Sequence, residues 1–120
     1  MAITWRKKIG DQGEKIAEKF LKKQGMKFLT RQFKTSTGEI DLIMQDRSEI
    51  VFVEVKYRKN EDYGNGLYSI TKSKQRKLIK TAAIYLKSKR IKDIPYRFDI
   101  ISIIGDKIEY IENAIWGDYL

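Results

Sequence analysis

The sequence predicts an α/β protein in which a mixed central β-sheet of about five strands is flanked by α-helices. Two stretches carry apolar residues at helical spacing, one near the N-terminus and one after residue 71. Five runs rich in β-branched and aromatic residues lie between and after them, separated by turn residues. The 120 residues should form a single domain. We expect one helix against each face of the sheet, or both helices on one face.

The first helix is predicted between residues 5 and 24, with Gly25 just past its end. Its apolar face consists of Ile9, Ile16, Ala17, Phe20 and Leu21. Residues 26–35 mix aromatic and basic side chains, residues 36–38 resemble a turn, and residues 39–44 form a second apolar run. This pattern predicts two strands joined by a tight connection.

Residues 49–56 form the most β-branched and apolar run of the chain, which indicates a central strand. Residues 57–70 carry glycine and asparagine without periodicity, and we expect a mobile loop there. Thr71 is the predicted N-cap of the second helix, whose apolar stripe consists of Leu78, Ile79, Ala82, Ala83 and Leu86. Residues 97–104 and 107–111 are the last two predicted strands, around a turn.

Composition narrows the possible chemistry. The 25 lysines and arginines exceed the 16 acidic residues, and the net charge of +9 makes nucleic acid the first partner to consider, although many small proteins are basic only for solubility. The sequence has no cysteine and no histidine, which excludes disulfides, thiolate zinc sites and imidazole ligands. Carboxylates, amides and hydroxyls remain, and these oxygen ligands suit Mg²⁺ or Mn²⁺.

The apolar runs of the chain bear on its location. The first residues lack the long apolar core of a signal peptide, and no later run approaches the roughly 20 residues needed to cross a bilayer. We therefore expect a cytoplasmic protein that does not act in a membrane.

Charged side chains interrupt the two most apolar predicted strands. Alternate side chains of a strand share a face, so Glu39 and Asp41 project together, as do Glu54 and Lys56. Charges in such runs are costly to bury unless they pair with each other or bind a metal. A cross-strand salt bridge is the structural alternative, and the Glu-x-Lys spacing taken alone favours it. The preceding Gly-Glu-x-Asp strand favours a functional site instead.

Several segments together carry a family resemblance. They are Gly-x-x-Gly-Glu at 10–14, Gly-Glu-Ile-Asp-Leu-Ile at 38–43, Val-Phe-Val-Glu-Val-Lys at 51–56 with Arg58, Lys-Gln at 74–75 and Arg-Phe-Asp at 97–99. The arrangement resembles the PD-(D/E)xK nuclease motif, and nearly the whole chain is similar to the YraN-like family of restriction-endonuclease-like proteins. Departures from the family pattern are Gln32, Phe33, Gly66 and Tyr68.

The resemblance implies a nuclease, similar to Holliday junction resolvases, that uses Mg²⁺ or Mn²⁺ to hydrolyse phosphodiester bonds in DNA, with branched or junction DNA as a candidate substrate. The implied metal ligands are Glu14, Asp41, Glu54 and the main-chain carbonyl of Val55. Lys56 would polarise the attacking water, either as a positive clamp or as a proton acceptor. Gln75 would orient the water or a phosphate oxygen. Taken without the resemblance, Glu14 and Gln75 are ordinary helix residues.

Basic residues near the start of the second helix, together with Arg58 after the third strand, are predicted to contact phosphates, and such contacts position nucleic acid without reading its sequence. They are Arg58, Lys72, Lys74, Arg76 and Lys77. The alternative is a solvated charged face. Two acids are more ambiguous: Glu39 lies at the mouth of its strand and is a turn or supporting group, and Asp99 is best explained by a structural salt bridge with Arg97.

Two other functions remain open. A non-catalytic nucleic-acid-binding module would keep the fold and the charge, and would bind without cleavage and without dependence on magnesium. A protein-interaction role would use residues 114–120 as an apolar tail that docks on a partner or a second subunit. A homodimer would suit a resolvase-type nuclease, because two sites cut two strands.

Overall fold

A computed structural model describes residues 5–58 and 70–115, with residues 5–10 described by their backbone only. Its elements, in chain order, are α1 (Trp5–Lys23), β1 (Lys27–Thr35), β2 (Gly38–Asp46), β3 (Glu49–Arg58), α2 (Lys72–Ser88), β4 (Tyr96–Ile104) and β5 (Lys107–Ile115). The five strands form one sheet in the order β1-β2-β3-β4-β5. All neighbours are antiparallel except β3 and β4, which run parallel. The predicted mixed sheet with flanking helices is confirmed.

The parallel pair explains the position of α2. Two adjacent parallel strands need a crossover connection, and α2 lies in the chain between β3 and β4. The predicted cap of this helix is confirmed, since the Thr71 hydroxyl accepts a hydrogen bond from the Lys74 main-chain nitrogen at 3.1 Å. The helix therefore has a fixed starting point above the sheet.

The two helices cover opposite faces of the sheet. On one face α1 contributes Ala17 and Leu21 to a core that includes Leu42, Met44, Val51, Val53, Ile101 and Ile103. On the other face α2 contributes Leu78, Ala82 and Tyr85 to a core that includes Ile43, Phe52 and Phe98. Because β2 and β3 are covered on both sides, their sequences are almost continuously apolar. Glu54, a charged residue in the interior of β3, therefore points into a covered environment.

Several boundaries and burial assignments differ from those predicted. Strand β3 continues to Arg58, into the predicted loop, and β5 continues to Ile115, which is 2% exposed and so belongs to the core rather than to a docking tail. Within α2, Ala83 is exposed, contrary to prediction, whereas Thr81 and Tyr85 are buried. The Thr81 hydroxyl donates to the main-chain carbonyl one turn earlier at 2.8 Å, so this polar residue packs without an unpaired group.

Some predictions fall outside the described residues. These concern the side chain of Ile9, residues 59–69 of the predicted loop, and residues 116–120 of the proposed tail. In the described part of the chain, neither helix is long and apolar enough to cross a membrane.

Arg97 of β4 organises a buried ion network. Its Nε donates to both carboxylate oxygens of Asp99, at 3.1 and 3.2 Å, and its terminal nitrogens contact Asp46 and Glu49. The Tyr110 hydroxyl also donates to Asp99, whose side chain is 0% exposed. Both oxygens of this buried carboxylate thus have donors, and the structural role predicted for the Arg97–Asp99 pair is confirmed.

Replacing Arg97 tests this network. We expect Arg97→Met to lower the free energy of unfolding by about 3–5 kcal/mol, because it leaves the buried Asp99 charge without its cation. Asp46→Asn is the matched control, since Asp46 is 32% exposed and its pairing should be worth less than about 1 kcal/mol. Urea denaturation of the variants measures both values. Equal losses would contradict the buried character of the Arg97–Asp99 pair.

Candidate functional site

The candidate site lies where β2 and β3 separate. Their antiparallel pairing ends at Leu42 opposite Val53. Beyond that pair, the main-chain nitrogen of Val55 donates to Asp41 Oδ2 at 2.8 Å, so a carboxylate takes the place of a strand partner. The N–H and C=O of one residue in a strand point to the same side. The Val55 carbonyl therefore faces the same gap as the Asp41 carboxylate.

Glu54 presents a buried carboxylate beside this gap. Its side chain is 7% exposed, and its Oε1 lies 3.5 Å from Lys74 Nζ and 4.0 Å from Lys56 Nζ. Its Oε2 is buried without a hydrogen-bond partner among the described residues. A buried carboxylate oxygen without a donor is costly, so this atom is well suited to a cation.

Electrostatic repulsion marks Asp41 as part of the same site. Burial, together with the nearby carboxylates of Glu54, Glu14 and Glu39, raises the pKa of Asp41 to about 8, against the opposing effect of the hydrogen bond from the Val55 N–H. Four acidic groups therefore share one electrostatic environment. A bound cation would lower the free energy of the charged forms of all of them.

A close helix–strand contact brings Glu14 to the site. A Cβ added at Gly13 would lie 2.7 Å from the Cβ of Tyr57 on β3, so only glycine lets α1 approach this closely. The adjacent Glu14 is 7% exposed, and its Oε1 is buried without a partner in the described ranges. Burial is the main cause that raises the pKa of Glu14 to about 7, a value that already includes the opposing effect of a hydrogen bond from Gln32.

The predicted set of three carboxylate ligands is not assembled. Among residues 5–58 and 70–115, no group of three or more acidic side chains is positioned to hold one metal ion. Asp41, Glu54 and the Val55 carbonyl remain as oxygen ligands, and Mg²⁺ commonly binds through only one or two carboxylates and completes its shell with water. The residues present thus fit such an ion, with Glu14 as a neighbouring buried acid.

An open groove of about 260 Å³ adjoins these acids. Its lining residues are Gly38, Glu39, Asp41, Lys74, Lys77 and Leu78. The β1–β2 turn is tied to α2 beside it, because the hydroxyls of Thr37 and Thr81 lie 2.8 Å apart. This contact holds the middle of α2 beside the start of β2.

The other predicted residues occupy different positions around the groove. Lys56 is 38% exposed beside Glu54. Gln75 donates through Nε2 to the main-chain carbonyl of Ile70 at 2.8 Å, which fixes the entry to α2. Lys72 and Arg76 are exposed on α2, and Arg58 ends β3. Lys74, which the sequence predicts only as a phosphate contact, also contacts Glu54. The local sequence pattern could not predict this, because it gives no distance between a strand and a later helix.

Residues 13–103 match the family described as "Uncharacterised protein family UPF0102". The chain belongs to this family. A UPF0102 protein of Vibrio campbellii is 45% identical over 119 residues, covering 96% of this chain and 98% of the relative. A UPF0102 protein of Coxiella burnetii is 48% identical over 114 residues, which cover 93% of this chain and 95% of the relative. One from Fusobacterium nucleatum is 38% identical over 112 residues, which cover 93% of this chain and 94% of the relative. Membership of the YraN-like family is thereby confirmed.

The raised pKa of Asp41 predicts a pH-dependent stability for this UPF0102 protein. Folded Asp41 keeps a proton that the unfolded chain releases, so without divalent ions the free energy of unfolding should fall as pH rises from about 4 to about 8. Asp41→Asn keeps an acceptor for the Val55 N–H but has no proton to lose. We expect its stability relative to wild type to increase over this range, measured by urea denaturation in EDTA. Asp106→Asn, at an exposed turn, is the control. If the stability of Asp41→Asn changes with pH in parallel with that of wild type, the raised pKa of Asp41 is contradicted.

Gly13 gives a second prediction. Alanine is favoured over glycine inside a helix by roughly 1 kcal/mol, yet here its Cβ would collide with Tyr57. We therefore expect Gly13→Ala to lower the urea midpoint of this UPF0102 protein, because α1 must move away from β3. The exposed neighbour Gln12, changed to Ala, should leave the midpoint nearly unchanged. A Gly13→Ala variant more stable than wild type would show that the contact does not limit the approach of α1.

Proposed function

We propose that this UPF0102 protein is a metal-dependent nuclease of the PD-(D/E)xK class that hydrolyses phosphodiester bonds in DNA with Mg²⁺ or Mn²⁺. The observation that carries the proposal is the Glu54 carboxylate, which is buried, leaves Oε2 without a partner among the described residues, and raises the pKa of the neighbouring Asp41. A fold gains nothing from such a group unless a ligand completes it. Asp41, Glu54 and the Val55 carbonyl would hold the ion.

Each residue then has a defined task. When bound, the ion supplies positive charge that neutralises the scissile phosphate and lowers the pKa of a water. Asp41 binds in its charged form, and the Val55 N–H keeps its carboxylate oriented. Lys56 lies next to Glu54 and is partly exposed, so its ammonium can hold a phosphate oxygen or, once deprotonated, accept a proton from water.

Charge supports nucleic acid as the substrate. The net charge of +9 attracts polyanions, and Lys74 and Lys77 line the groove beside the acids. Lys72 and Arg76 are exposed elsewhere on the same helix and add to its positive charge. Such contacts hold the phosphate backbone without selecting a sequence, which suits an enzyme that recognises the shape of branched or junction DNA. We further propose that two copies act together, one on each strand of such a substrate.

A variant of Glu54 tests the metal site and the activity together. We expect wild type to bind Mn²⁺ in isothermal titration and to nick at least one of labelled single-stranded, duplex and four-way-junction DNA. Glu54→Gln keeps the shape of the side chain and should lower metal affinity and cleavage by about 100-fold or more, because a neutral amide binds a divalent ion poorly. Glu109→Gln, in an exposed position on β5, should match wild type.

Two results would contradict the proposal. If Glu54→Gln cleaves as wild type does, the activity arises elsewhere or from a contaminant. If wild type binds DNA but neither binds Mn²⁺ nor cleaves, the protein is a non-catalytic nucleic-acid-binding module.

A further inference from the structure

A lysine from a distant part of the chain contacts Glu54, the carboxylate proposed above to bind a metal ion. Lys74 Nζ lies 3.5 Å from Glu54 Oε1, closer than the 4.0 Å of Lys56, the lysine that the motif places in the same strand. Lys74 belongs to the first turns of α2, whereas Glu54 belongs to β3. Among residues 5–58 and 70–115, the helix therefore supplies the cation nearest to this oxygen.

The side chains of Glu54 and Lys74 differ in their freedom to move. The Glu54 side chain is 7% exposed and fixed within the covered part of the sheet, while the Lys74 side chain is 44% exposed. Lys74 also lines the groove that contains Asp41 and Lys77. A lysine has a flexible four-carbon stem, so its ammonium can leave Glu54 for a phosphate in the groove without any movement of α2.

We propose that Lys74 is an exchangeable counter-ion, which pairs with Glu54 in the free protein and moves onto a substrate phosphate when a divalent cation takes that carboxylate. This inference rests on the proposed function. Lys56 cannot make the same exchange as fully, because its backbone lies two residues from Glu54 on the same strand face and keeps its charge there.

The exchange makes metal and nucleic acid help each other to bind. A divalent ion at Glu54 and an ammonium 3.5 Å from the same oxygen repel each other, so Lys74 competes with the ion. A phosphate that holds Lys74 in the groove removes this competitor. Metal must then strengthen nucleic-acid binding by the same factor by which nucleic acid strengthens metal binding.

Lys74→Met tests the exchange, because methionine keeps an unbranched apolar stem and removes the charge. Lys77→Met is the matched control, since Lys77 lines the same groove but has no described contact with Glu54. The probe ion is Ca²⁺, an oxygen-binding cation like Mg²⁺. Titration calorimetry gives the Ca²⁺ affinity without DNA. Fluorescence anisotropy gives the affinity for a labelled four-way junction with and without Ca²⁺, and a gel confirms that the DNA is intact.

We expect Lys74→Met to bind Ca²⁺ about fivefold or more tightly than wild type, and to lose a comparable factor from the strengthening of DNA binding by Ca²⁺. Lys77→Met should keep the Ca²⁺ affinity and the coupling of wild type within about twofold, even if its DNA affinity falls. Unchanged Ca²⁺ affinity in Lys74→Met overturns the exchange. Equal tightening in both variants also overturns it, because general repulsion would then explain the result.

Failure of the proposed function gives a different pattern. If wild type binds no Ca²⁺ but Lys74→Met does, competition between Lys74 and the ion is supported, whereas the wild-type metal site, and with it the exchange in the wild type, is contradicted. If neither protein binds Ca²⁺ although both are folded by circular dichroism, both proposals are overturned.

Discussion

The parallel pairing of β3 and β4 determines what surrounds the candidate site. The chain leaves β3 at Arg58 and has to return to the other end of the sheet before it can begin β4 alongside. The return carries α2 across one face, and its first turns come to lie over Glu54. Had β3 and β4 been antiparallel, a short hairpin would follow β3, and no basic helix would be held beside these acids. The direction of one strand thus brings positive charge to a buried negative cluster.

The same sheet contains two buried acidic clusters, around Asp99 and around Glu54, whose negative charges are balanced to different extents. Asp99 receives hydrogen bonds from Arg97, Tyr110 and the main chain of Asn113, so its charge is balanced from several elements. Glu54 is approached only loosely by lysines in the described residues, and one of its oxygens has no donor there. The first cluster stabilises the fold by itself. The second is electrostatically incomplete, and this incompleteness distinguishes the candidate site from a structural salt bridge.

Local patterns predicted the elements but not their mutual positions. The strand order along the chain and the Thr71 cap follow from short-range spacing, and both are confirmed. Whether the helices share a face depends on packing between distant segments, which left both arrangements open. The sequence pattern did not predict that Thr81 is buried, because a polar side chain is normally expected at the surface. Its hydroxyl can be buried here because it donates a hydrogen bond to a main-chain carbonyl of its own helix. At the site, the pattern predicted which acids share a face, whereas the Lys74 contact depends on the crossover and could be found only in three dimensions.

The hydrogen bond between Asp41 and the Val55 N–H has a consequence for the rigidity of the sheet. The Val55 N–H would otherwise pair with a main-chain carbonyl of β2, but it donates to the Asp41 carboxylate instead. This hydrogen bond therefore keeps β2 and β3 from pairing at that position. β2 and β3 are therefore already separated beyond Leu42 and Val53 in the folded protein, and a ligand does not have to break main-chain hydrogen bonds to enter between them. Oxygen atoms on both sides of this gap are held in position in advance, so little conformational entropy remains to be lost when a ligand enters between them.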